Sequence, residues 1–104
     1  MTIIWSDDAI ASVNNTADYI EAQFGVARSI EFLEDVIHDS NLLKDHPKLG
    51  EVDQLLEGAR FEYRSLKIGE LSRLIYRIDG EVIRIELLWN NRMNPLTLQR
   101  IFRA

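Results

Sequence analysis

No cysteine occurs among the 104 residues, which excludes disulfide staples, thiolate zinc sites and thiol nucleophiles together. Proline is nearly as scarce, with two residues, and glycine contributes five, so no stretch has the composition of a linker or a low-complexity tail. The two histidines, His38 and His46, straddle an expected helix end, a poor spacing for a metal pair. No apolar run approaches the roughly 20 residues a membrane span needs. The opening Met1-Thr2-Ile3-Ile4-Trp5-Ser6-Asp7-Asp8 lacks the basic region and apolar core of a secretory signal. Phosphate loops, dinucleotide fingerprints, His-Glu-x-x-His and calcium loops are missing as well. With 46% apolar and 28% charged residues, the expectation is one globular domain over residues 1–104, cytoplasmic, holding neither metal nor cofactor.

The net charge of −5 conceals two unlike halves. Residues 1–59 carry three cations (Arg28, Lys44, Lys48) against twelve acids, a balance of −9. Residues 60–104 carry nine cations against five acids, a balance of +4, and eight of the nine are arginine. Arginine is the side chain suited to carboxylate and phosphate forks. The second half is therefore expected to present a cationic face to an acidic partner.

Hydrophobic spacing divides the chain at the same place. Thr2 to Trp5 is a short β-prone run, and Ser6 followed by Asp7 and Asp8 has the form of a helix N-cap with acids in its first turn. Ile10, Val13, Ala17, Ile20 and Phe24 make one helical stripe that Gly25 terminates. Ala27, Ile30, Leu33, Val36 or Ile37, and Leu43 make a second, so the two helices form an antiparallel hairpin, stopped by Pro47. From about Ala59 the period drops to two. Phe61 and Tyr63 lead the first run, Leu74, Tyr76 and Ile78 the second, and Ile83, Ile85, Leu87 and Trp89 the third. Asp79-Gly80 is a two-residue hairpin turn, and Lys67-Ile68-Gly69-Glu70 is a looser one. The architecture is thus α+β: an N-terminal strand, a two-helix hairpin, a three-stranded antiparallel meander and a short C-terminal element. Trp5 and Trp89 are expected in the core.

The candidate functional residues sit on and beside the meander: Arg60, Arg64, Lys67, Arg73, Arg77 and Arg84, then Asn90-Asn91-Arg92-Met93-Asn94-Pro95 leaving the sheet. Arginines stacked at period two repel one another. Their counter-charges come either from within, through Glu62 and Glu86, or from an acidic partner. Ser65, His46 and Asp53 supply the residue types of a nucleophilic triad, with no spacing that favours one.

Five segments in this order resemble the RelE/ParE superfamily of bacterial toxins. They are Ile4-Trp5-Ser6-Asp7-Asp8-Ala9, Leu43-Lys44-Asp45-His46-Pro47-Lys48-Leu49-Gly50, Tyr63-Arg64-Ser65-Leu66, Ser72-Arg73-Leu74-Ile75-Tyr76-Arg77-Ile78 and Trp89-Asn90-Asn91-Arg92-Met93-Asn94-Pro95. The resemblance implies the toxin of a type II toxin–antitoxin system, bound by a cognate antitoxin from an adjacent reading frame, as a homodimer or a toxin–antitoxin hetero-oligomer. It implies one of two targets: DNA gyrase for ParE-like members, or the ribosome and its messenger RNA for RelE-like nucleases. Cleaving RNA through the 2′-hydroxyl requires a base, an acid and cations around the phosphorane, and Arg64, Lys67, Tyr76 and Arg92 are the residues available for it. The last strand ends Leu88-Trp89-Asn90-Asn91-Arg92 without histidine or tyrosine, and the pI is near 4.9. Both features favour the ParE-like, gyrase-binding alternative. A non-toxic member acting only as an interaction module is the third reading.

Overall fold

The computed structural model describes residues 1–103. Ser6 caps the first helix as its spacing predicts, its Oγ accepting from the Ala9 amide at 2.9 Å, with Asp7 and Asp8 in the first turn. The chain runs β1 (Thr2–Trp5), α1 (Asp7–Phe24), α2 (Val26–Leu42), β2 (Glu51–Val52), a single 3-10 turn over Gln54–Leu56, β3 (Arg64–Ile68), β4 (Ser72–Asp79), β5 (Val82–Asn90) and α3 (Pro95–Arg103). Gly25 joins α1 to α2 at φ +94°, a conformation that disfavours any side chain.

The meander β3–β4–β5 is antiparallel throughout and extends at both edges, giving the order β1-β5-β4-β3-β2. β1 lies parallel to β5 and β2 antiparallel to β3. The first long meander strand begins at Arg64 rather than near Ala59. Phe61 is outside it, while Asp53 and Tyr63 are joined by a 2.8 Å backbone hydrogen bond. The C-terminal element is helical.

One irregularity decides how the sheet is packed. Between Ile75 and Tyr76 the β4–β5 register slips, so Ile75 faces Leu87, Tyr76 faces Ile85, and Glu86 is the extra residue. A bulge of this kind inverts the alternation beyond it. Ile83, Ile85, Leu87 and Trp89, a single face by simple alternation, are thereby divided. Ile83, Ile85 and Leu88 join Leu74, Tyr76 and the helical hairpin in one core, while Trp89 and Leu87 join Ile75, Tyr63, Leu56, Leu98 and Phe102 in a second, on the opposite face. Trp5 is half-buried against the first core and Trp89 is buried in the second.

The hairpin sits on its sheet through smaller residues than the hydrophobic stripes suggest. Its buried positions are Ala9, Val13 and Ala17 on α1 and Ser29, Val36 and Ser40 on α2. Ile10, Phe24, Ile30 and Ile37 instead face outward. Two α1 hydroxyls explain the phase. Ser6 Oγ donates to the Glu86 carbonyl at 2.8 Å and Ser12 Oγ accepts from the Leu88 amide at 2.9 Å. Both bonds engage β5 backbone at the bulge, where ladder pairing is disturbed, and they draw the small-residue side of α1 onto the strand. Ser29 Oγ donates to the Ala17 carbonyl at 2.9 Å and ties the helices together.

Candidate functional site

The sheet face opposite the hairpin carries most of the candidate residues, and the second core divides them. Leu56, Tyr63 and Leu98 cover its middle. Arg73 and Arg77, four residues apart on β4, are separated by about 13 Å of strand and belong to different clusters.

Towards the β4–β5 turn, Arg77 lies directly opposite Arg84. That juxtaposition of like charges is destabilising unless neutralised. Asp79 and Glu86 neutralise it: Asp79 Oδ2 accepts from Arg84 Nε at 2.7 Å and lies 3.8 Å from Arg77 Nη1, and Glu86 Oε1 lies 3.9 Å from Arg77 Nε. The hydrogen bond from Arg84 holds the Asp79 carboxyl below its usual range. Two guanidinium groups lie over the Phe61 ring, with Arg77 Cζ 3.9 Å and Arg60 Cζ 5.1 Å from the ring centre. Glu86 is thus the bulge residue and a counter-ion at once.

At the other end Arg73 meets Asp53, whose side chain is nearly fully buried. Arg73 Nε donates to Asp53 Oδ2 at 2.9 Å, and Arg73 Nη1 to Asn91 Oδ1. Ser65 Oγ donates to the same Asp53 oxygen, and Asp53 Oδ1 accepts from the Leu55 amide at 3.0 Å. Arg73 Nη2 is buried without a hydrogen-bond partner among the described residues. This cluster lines an open basin of about 500 Å³ that also includes Lys67. Lys67 pairs directly with Arg73 across β3–β4, and Ser72 pairs with Asn90. Asn90 Oδ1 accepts from the Arg92 amide at 2.9 Å and Asn91 N–H donates to the Leu71 carbonyl at 2.8 Å, folding the 90–92 turn over this end.

The structure therefore gathers Lys67, Arg73, Asn90, Asn91 and Arg92 at one end, and Arg60, Arg77 and Arg84 at the other. Arg64 is on the opposite face. It pairs with Tyr76 in the ladder, donates to the Gly50 carbonyl at 2.9 Å and lies 3.7 Å from Glu62. Lys67 and Arg92, with Arg60, Arg100 and Arg103, have no ion-pair partner among the described residues, whereas Arg64, Arg73, Arg77 and Arg84 all have one. Asp53 and Ser65, considered from the sequence only as residue types of a triad, are participants that no local signal placed beside Arg73. Asp53 is committed to Arg73, and exposed His46 makes no hydrogen bond to either within the described residues, so the three do not form a triad.

Tyr76 is fully buried and its hydroxyl is spent twice, donating to the Pro47 carbonyl at 2.7 Å and accepting from the Gly50 amide at 2.9 Å. Burial raises its pKa above 10.0. Tyr63 is raised by burial first and by Glu86 second, and its ring packs on Phe102 at 4.6 Å. Neither phenol is placed to accept a proton from a ligand. Of the residues available for RNA cleavage, Arg64 and Lys67 occupy opposite strand faces and Tyr76 lies inside the core. Among the described residues no group of three or more His, Asp or Glu side chains is arranged to hold a metal ion, and no helix is long and apolar enough to cross a membrane.

This mixed sheet, with a helical hairpin on one face and a short helix on the other, is shared with a solved structure. A chain described as the chromosomal ParDE TA system from P. aeruginosa superposes with a TM-score of 0.72 at 16% identity, covering 86% of this chain and 95% of that one. No curated protein matches in sequence. The family described as the ParE toxin of type II toxin–antitoxin system, parDE, matches residues 3–95, and the chain belongs to that family.

Proposed function

We propose that the protein is a binding-type toxin that poisons DNA gyrase and is neutralised by a cognate antitoxin. The observation that carries this reading is the end of the sheet where Lys67 and Arg92 have no ion-pair partner among the described residues, beside the Arg73 fork that Asp53 and Asn91 hold in place. Exposed cations without internal counter-ions suit an acidic surface, protein or DNA phosphate, because their charge is free to attract it. Arg77 and Arg84 are neutralised within the fold and contribute architecture rather than docking charge.

Purified protein is expected to trap gyrase–DNA cleavage complexes, visible as linear DNA after detergent and protease treatment. Lys67→Glu combined with Arg92→Glu is expected to abolish that signal while leaving the circular dichroism spectrum unchanged. Gyrase unaffected at any toxin concentration would remove the reading.

The alternative, a ribosome-dependent RNase, is disfavoured by the buried, doubly bonded hydroxyl of Tyr76. Toeprinting on translating ribosomes decides it, since message cut at defined codons would restore the nuclease. The antitoxin reading requires a partner encoded beside this frame to co-purify with the chain.

A further inference from the structure

Asp53 is anchored by bonds that have nothing to do with the arginine it holds. Its N–H donates to the Tyr63 carbonyl at 2.8 Å, and its carboxylate accepts from the Leu55 amide at 3.0 Å and from Ser65 Oγ. The turn that follows is pinned as well. Leu56 is buried in the second core, and Gln99 of α3 donates from Nε2 to the Leu55 carbonyl at 3.0 Å. The carboxylate is therefore fixed independently of the guanidinium it receives.

Arg73 is in the opposite position. Lys67 is its direct cross-strand neighbour, and like charges so placed push apart. Asp53 outweighs that repulsion with the 2.9 Å bond from Arg73 Nε, made where the two side chains are 18% and 5% exposed. Such seclusion strengthens a charge-assisted hydrogen bond. Held this way, Arg73 turns Nη1 to Asn91 Oδ1, while the Asn91 N–H donates to the Leu71 carbonyl at 2.8 Å. These two bonds fasten the turn to the sheet at Asn91, and the next residue is the exposed Arg92.

From this chain of contacts we infer that Asp53 is a positioning residue for target docking: through Arg73 and Asn91 it sets the backbone from which Arg92 projects. The inference rests on the gyrase-binding reading above and deepens it, by assigning part of the docking geometry to a buried acid that no target touches. It differs in sign from an account based on charge alone. Neutralising an acid at a cationic end strengthens attraction to an acidic surface. Neutralising Asp53 instead frees Arg73 from Asn91 and loosens the turn, so docking weakens although this end has become more positive. Glu51 is the matched control, since it lines the same basin, faces Ser65 in the ladder and makes no ion pair among the described residues.

The full chain tests this through the toxin concentration that half-maximally traps gyrase–DNA cleavage complexes. Asp53→Asn and Asn91→Ala are each expected to raise it at least about fivefold, because a loosened turn must be ordered on contact, and Glu51→Gln to lower it or leave it unchanged. Amide hydrogen exchange supplies a readout that needs no gyrase. The amides of residues 91–93 are expected to exchange at least about tenfold faster in both relay variants, relative to those of the β4–β5 ladder. Asn91→Ala alters no charge and no core position, so it decides the matter if Asp53→Asn fails to fold.

Tighter trapping by Asp53→Asn, unchanged trapping by Asn91→Ala, or weakening by Glu51→Gln overturns the inference and leaves the gyrase reading standing. Exchange that accelerates uniformly across the sheet also overturns it, because Asp53 then supports general stability rather than the turn. A wild-type protein with no effect on gyrase removes the reading itself, and the inference with it.

Discussion

Tyr76 shows how much one side chain fixes in this molecule. Its hydroxyl joins the loop after α2 to the middle of β4 through Pro47 and Gly50. Gly50 is confined by the same junction, since a Cβ there would lie 2.7 Å from both the Tyr76 ring and the Ser65 carbonyl oxygen. Tyr76→Phe leaves the Gly50 amide and Pro47 carbonyl without their partner and is expected to cost about 1–3 kcal/mol by urea denaturation. The same variant has a pH signature. With the folded pKa raised above 10.0, the unfolded chain releases this proton first, so the Tyr76 contribution to stability is constant below about pH 10 and falls above it. Tyr76→Phe should remove part of that alkaline loss, and Tyr63, shifted the same way, should retain the rest. Asp53→Ala makes a different statement, because it leaves the largely buried Arg73 guanidinium without a counter-ion. Its expected cost is about 2–3 kcal/mol, and Arg73→Met in the same background should recover much of it. A double-mutant cycle measures the difference.

Among the elements, α1 and β5 carry the fold's least obvious instruction. Ser6 and Ser12 both reach β5 backbone around Glu86, so the bulge and the helix register are one feature. Ser12→Ala strands the Leu88 amide and is expected to destabilise by about 1–2 kcal/mol. Ser6→Ala, which also removes the α1 cap, should cost a similar amount, and the two should be less than additive because both relax the same contact. This is also where the sequence was hardest to read. Local signals were sufficient for β1, the Ser6 cap, the Gly25 break and the Asp79-Gly80 turn, because each depends on neighbours in the chain. The phase of α1 was not legible, since hydroxyls bonding to a strand more than seventy residues away outweigh Ile10 and Phe24. Nor was the split of Ile85 from Leu87, because nothing in Ile-Glu-Leu-Leu distinguishes a bulge from plain alternation. β2, two residues long, carries too few positions to show any period.

For the whole molecule, the charge division seen along the chain becomes a division in space. The acidic half builds the helical hairpin and the two short edge strands. The arginine-rich half builds the three long strands and α3, and four of its arginines are paired internally. The presence of arginines was thus legible, and their pairing was not: Asp53, from the acidic half, is the partner that fixes Arg73. Attraction between the remaining cations and an acidic target is expected to be screened. The concentration of toxin needed to trap gyrase should rise several-fold between roughly 50 and 200 mM salt, and Lys67→Glu with Arg92→Glu should remove that dependence together with the binding.

The parallel pairing of β1 with β5 sets an order of events during synthesis. Thr2 pairs with Val82, so the opening strand must wait for nearly the whole chain before it has a neighbour. At roughly 5–20 residues per second, that wait lasts about 4–16 s. For at most about the second half of it, the hairpin, complete at Leu42, has been synthesised without the sheet that covers it, as a nascent amphipathic segment suited to chaperone capture.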